Sequence, residues 1–232
     1  MKRLDSNSES QTSSVTAVTA EIWDRVQALP LPNTASIRNL RREFSKRLAQ
    51  AEPKLMLSLA LSLMKLRGFE FRFIAYELVQ HHLATFSSLD VMALEKLGSG
   101  IDNWGAVDCF ACYLAGPAWR ERQISDRVIR RWARSKERWW RRAALVSTVA
   151  LNNKARGGVG DTRSTLSVCE TLINDRDDMV VKALSWALRE LSKRDPSSVR
   201  RFLREHEKGL APRVTREVNS KLQTGLKNPR YH

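Results

Sequence analysis

Apolar residues return along this chain at intervals of three and four, the spacing of one face of an α-helix, in segment after segment. Ile22, Trp23, Val26 and Leu29 form the first stripe, in a helix expected from about Val15 to Leu29 and ended by the Pro30-Leu31-Pro32 turn. Asn33 or Thr34 then caps a helix carrying Ile37, Leu40, Phe44 and Leu48, whose other side holds Arg38, Arg41, Arg42, Lys46 and Arg47. Pro53 opens a very apolar helix to about Arg67, stopped by Gly68. Phe71, Ile74, Ala75 and Leu78 lead the next to about Ala84, so the two look like an antiparallel hairpin. A short helix over 89–97 precedes a loop with two glycines.

That loop opens the stretch Gly98 to Asp108, Gly-Ser-Gly-Ile-Asp-Asn-Trp-Gly-Ala-Val-Asp. Asp102 is the expected N-cap of a helix beginning at Asn103, with Trp104 in its first turn and Asp108 four residues on, along the same side. Val107, Phe110, Ala111 and Leu114 make the apolar face; Trp104 and Asp108 run along its rim, where a carboxylate is half-sheltered. After Gly116-Pro117, Ile124, Val128, Ile129 and Trp132 mark a helix expected from Trp119 to about Ser135, and further helices are expected over 138–151, 162–173, 179–193, 196–207 and 213–226. In the 179–193 helix the buried stripe is Val180, Ala183, Leu184, Ala187, Leu188 and Leu191. Trp186 lies about 130° from its centre, in a row with Lys182, Arg189 and Lys193, which sets a large indole on a basic outward face. No segment alternates as a strand does. The pattern therefore predicts an all-α fold of stacked antiparallel helix pairs, either a bundle or a solenoid. Residues 1–14, rich in Ser, Asn and Gln without periodicity, are expected to be a disordered tail, leaving 15–232 as a single domain.

Composition narrows the partner. At 232 residues and 42% hydrophobic, the chain can bury a sizeable core, yet it carries +15 and a pI near 10.4. Between Ala118 and Arg142, ten basic residues stand against three acids. Such a field attracts polyanions, with nucleic acid as the first candidate. A membrane is the weaker candidate, because the longest apolar run, Leu55 to Met64, contains two serines and is bounded by Lys54 and Lys65. Three cysteines and no hydrophobic signal core at the N-terminus suit a reducing, cytoplasmic setting. Cys109 and Cys112 form a C-x-x-C with no second pair and no nearby histidine, and are expected to be small buried side chains. P-loop, dinucleotide and metalloprotease motifs are absent, so no cofactor or metal is expected.

Three blocks then bear a family resemblance. Ile101-Asp-Asn-Trp-Gly-Ala-Val-Asp108, Trp140-Arg-Arg-Ala-Ala144 and Lys182-Ala-Leu-Ser-Trp-Ala-Leu-Arg-Glu190 resemble, in this order, the signature blocks of the AlkD-like DNA alkylation repair glycosylases. The resemblance implies HEAT-like helix pairs stacked into a curved solenoid with a basic concave face. It implies that Asp108 is the catalytic aspartate and that Trp104 and Trp186 flank the lesion nucleotide. It also implies that one arginine of the Trp140 block contacts DNA, Arg142 being favoured over Arg141. Lys182, Arg189 and Arg38 are further expected phosphate contacts.

The chemistry of these residues agrees with that assignment. An N3- or N7-alkylated purine already carries positive charge, so its glycosidic bond breaks without a general acid. One placed carboxylate can stabilise the cationic sugar and position water, and two indole faces can hold the cationic nucleotide. The expected activity is a monofunctional glycosylase of base excision repair, acting as a monomer on double-stranded DNA. Two alternatives are a HEAT-like nucleic-acid-binding module without catalysis and, more distantly, a protein scaffold.

Overall fold

In a computed structural model of the chain, the described residues run from Lys2 to Asn228, with side chains from Ser13 onward. Their regular structure is helical throughout, with no strand among the described residues. The chain forms two compact units, one up to Ser99 and one from Gly100 on, where the sequence pattern alone treats 15–232 as one domain.

The first unit holds α1 (Lys2–Gln27), α2 (Thr34–Arg47), α3 (Pro53–Leu63), α4 (Phe69–His81), α5 (Leu83–Ser87) and α6 (Val91–Gly98). Helix α3 packs on α1 and α4, and α2 packs on α4. Ile22, Val26, Leu40, Phe44, Leu59, Leu63, Phe71 and Ile74 fill the space between them. The α1 backbone is helical from Lys2, so it runs through most of the segment expected to be a tail; Met1, where that segment begins, lies outside the described residues. Asn33 caps α2 by accepting from the N–H groups of Ala35 and Ser36. The basic side of α2 is not wholly solvated. Glu77 of α4, 3% exposed, takes both Arg38 Nε at 2.8 Å and Arg41 Nε at 3.0 Å, and Arg41 is itself buried. A buried acid needs cationic partners, and α2 supplies two.

The second unit comprises α7 (Trp104–Phe110), a π-helical turn (Ala111–Ala115), α8 (Gly116–Arg120), α9 (Asp126–Ala133), α10 (Arg138–Asn152), α11 (Thr162–Thr171), α12 (Asp178–Leu191), α13 (Pro196–Glu205) and α14 (Pro212–Thr224). Helices α7, α10, α12 and α14 pack in succession as one row; α9 and α11 pack on each other and on α10, and α13 packs on α12. The stripe expected in the 179–193 segment, Val180 through Leu191, is buried as its spacing requires.

Two local features depart from the expected helices, each for a physical reason. Gly116-Pro117 does not end a helix. Pro117 has no N–H to return to the preceding turn, and the chain widens instead, Gly116 N–H donating to Ala111 C=O five residues back, so that α7, the π turn and α8 form one rod. Gly116 also packs tightly against α10: an added Cβ would lie 2.6 Å from Ala150 Cβ and 2.7 Å from the Ser147 carbonyl. The helix expected from Trp119 to Ser135 breaks between Arg120 and Asp126. There Arg122 N–H donates to Trp119 C=O and Gln123 N–H to Ala118 C=O, a Schellman closure with Arg122 at φ 64, where glycine is the usual occupant.

Candidate active site

Asp108 and Trp104 both lie on α7, whose start is one residue later than expected. Asn103, not Asp102, is the N-cap, its Oδ1 accepting from Ala106 N–H at 2.9 Å, while Asp102 accepts from the Asn103 side chain. Helix α7 is held by aromatic packing. Phe110 sits edge-on to Trp140 of α10 at 5.9 Å between ring centres, and Trp132 of α9 stacks near both, 5.0 Å from Trp140 and 6.0 Å from Phe110. The cluster thereby packs α7, α9 and α10 together two residues beyond Asp108.

Arg142 on α10 grips the Asp108 carboxylate with two parallel bonds, Nε to Oδ1 at 2.9 Å and Nη2 to Oδ2 at 2.8 Å. Its Nη1 donates to the Met179 carbonyl in the first turn of α12. The Arg142 side chain is 7% exposed and that of Asp108 17%. Burial raises the Asp108 carboxyl above its ordinary value, and the hydrogen bond and charge of Arg142 only partly draw it back. The carboxylate is thus less stabilised than it would be in water, the condition in which a further positive charge beside it gains most.

Trp104 projects from the same side of α7, one turn earlier, and is 63% exposed. Trp186 lies on α12, whose N-terminal turn Arg142 holds, and is half-buried rather than fully outward. The arginine expected to contact DNA is committed to Asp108, with three of its five donors used. Arg141 is committed elsewhere. It donates to Asp175 at 2.7 Å and to the carbonyls of Ser135 and Lys136, tying the loop before α10 to the loop before α12.

The remaining expected contacts divide. Lys182 is partly exposed and pairs with Asp178 at 2.6 Å, which also binds Arg213. Arg189 turns inward: its Nε donates to Ser185, which donates to buried Glu217 at 2.6 Å, and burial lowers the Arg189 pKa. Arg38 is bound to Glu77 in the first unit. The Met179 carbonyl and the Ser185–Glu217 pair carried no signal in the sequence, since each joins helices far apart in the chain. Cys112 is buried, its thiol pushed up to about 12 by burial, so it has no nucleophilic thiolate at neutral pH. Among the described residues no cluster of His, Cys, Asp and Glu could hold a metal, and no helix is long and apolar enough to cross a membrane.

Compared with known families, residues 32–222 match the model described as DNA alkylation repair enzyme, a match that takes in most of each unit and all eight expected site residues. No curated protein matches the chain at a significant level.

Proposed function

The chain belongs to the family of DNA alkylation repair enzymes, and within it we propose a monofunctional DNA glycosylase that releases positively charged N3- and N7-alkylated purines. The single observation that carries this reading is the carboxylate of Asp108, clamped by Arg142 yet raised in pKa by burial, one turn from an exposed indole.

In the proposed reaction the C1′–N bond breaks and its electron pair leaves with the base, which becomes neutral. Asp108 stabilises the cationic sugar left behind. Water adds to C1′, and its proton passes by way of the carboxylate to solvent. Arg142 holds both carboxylate oxygens in one plane, so little reorganisation accompanies the appearance of charge. Trp104 and Trp186 would supply the aromatic faces that retain a cationic nucleotide. The order α7, α10, α12, α14 within one row is what stacked HEAT-like pairs would produce. On this reading that row faces duplex DNA, and the protein acts as a cytoplasmic monomer.

The test is release of N7-methylguanine or N3-methyladenine from methylated duplex DNA by the purified protein. Wild type is expected to release base and Asp108→Asn to retain DNA binding with little release. An inactive wild type, or an Asn variant as fast as wild type, overturns the glycosylase and leaves the non-catalytic binding module.

A further inference from the structure

The far end of α10 borders a second basic locus. Beyond Leu151 the chain makes a short 3-10 turn and the segment Gly157-Gly158-Val159-Gly160, which is pinned rather than loose. Arg120 donates to the Arg156 carbonyl at 2.6 Å, Arg194 donates to the carbonyls of Asn152 and Gly158, and buried Asn152 accepts from Asp161 N–H. Gly158 lies so close to the α10 terminus that an added Cβ would sit 2.7 Å from the Ala150 carbonyl. This fixed segment, the α8–α9 turn and the first turn of α11 enclose a cleft of about 950 Å³, lined among others by Arg122, Arg127, Arg130 and Arg163.

These four arginines are exposed, and none has an ion-pair or side-chain hydrogen-bond partner among the described residues. The two acids of the cleft are already engaged: Asp126 accepts from Trp119 Nε1 at 2.8 Å, and Asp161 caps α11. Arg122 adds a second, independent observation. It is the one non-glycine residue at positive φ among those described, held there by the closure that ends α8, and that closure fixes its backbone at the cleft lining. These four guanidinium groups against two carboxylates leave the cleft net positive, which favours an anion in the space between them, and guanidinium forks fit phosphate oxygens two at a time.

We propose that this cleft is a second phosphate-binding site, which takes backbone phosphates of nucleic acid away from the Asp108 site. Leu151 lies nine residues along α10 from Arg142, about 13 Å, a separation that flanking nucleotides rather than the lesion would span. The inference rests on the family's action on DNA and not on base release.

The test is binding of a short undamaged duplex by fluorescence anisotropy across a salt series. It compares the full chain with the triple variant Arg127→Ala, Arg130→Ala, Arg163→Ala, and with a control of equal charge loss in the first unit, Lys54→Ala, Lys65→Ala, Arg67→Ala. The cleft variant is expected to bind about tenfold to a hundredfold more weakly, with a slope of log affinity against log salt flatter by about 2 to 3. Its melting temperature should match wild type, because the arginines are exposed and unpaired. A cleft variant that binds the duplex no more weakly than the control overturns the proposal. So does loss of inorganic pyrophosphate binding in the cleft variant while duplex binding stays at the control level, which assigns the cleft to a small phosphorylated ligand. Undamaged DNA keeps this test separate from base release: a wild type that binds the duplex but frees no base fails the glycosylase and leaves the cleft standing.

Discussion

The two ends of α10 show opposite uses of the same residue type. At the N-terminal end Arg141 and Arg142 spend their donors on Asp175, Asp108 and backbone carbonyls, and the side chains are 19% and 7% exposed. At the C-terminal end four arginines face solvent around a cleft whose acids are bound elsewhere. In a chain of +15, the number of arginines in a segment therefore says little about where an anion will settle. The partners each guanidinium already has decide it: at one end cations hold a carboxylate in place, and at the other they remain free to act on a ligand.

The comparison can be broken most severely at Asp108. Asp108→Asn should lower the rate of base release by about 10²–10³-fold, about 3–4 kcal/mol of transition-state stabilisation, measured in single turnovers. Wild-type release should also fall as pH drops, with a midpoint above the usual aspartate range, because burial raises this carboxyl. For stability the sign is reversed: a raised native pKa favours the fold at low pH, and that contribution disappears as pH rises through the native value.

Next in size, Arg142→Ala leaves Asp108 half-sheltered without its cation and frees the first turn of α12. Urea denaturation should show a loss of about 3 kcal/mol, only partly restored by Arg142→Lys, which cannot make the two-pronged contact. Gly116→Ala drives a methyl into Ala150 and should cost about 2 kcal/mol by the same measurement. Trp104→Ala should weaken binding of methylated DNA by about 1–2 kcal/mol in anisotropy while leaving the melting temperature within a degree or so, because the indole is 63% exposed. Smallest is Arg122→Gly, expected to raise stability by up to about 1 kcal/mol through relief of the left-handed arginine while weakening duplex binding.

Much of this was legible in the sequence wherever short-range periodicity rules. The stripe Val180–Leu191 is buried as spaced, and α2, α10, α11 and α12 begin within a residue or so of their expected starts, at N-cap positions. The placement of Trp104 and Asp108 along one edge of a helix also follows from their separation. What was not legible depends on contacts between distant segments. No local pattern says that Glu77 will draw Arg41 inward, that Glu217 and Ser185 will engage Arg189, or that Arg142 will close on Asp108 across 34 positions. Proline misled in the other direction. Gly116-Pro117 marks a break between segments in the sequence, yet the helix runs through it by widening, Gly116 N–H donating to Ala111 C=O while Gly116 packs tightly against α10.

That widened turn also sets the relative aim of two surfaces. A π turn is a helix holding one surplus residue, and removing a residue from Ala111–Ala115 would restore ordinary winding while swinging everything beyond it by about 100°. Asp108 precedes the surplus residue, whereas Trp119 and Arg120, which line the cleft, follow it. One surplus residue thus lets a single stretch of chain aim two surfaces at independent angles, one before the turn and one after it.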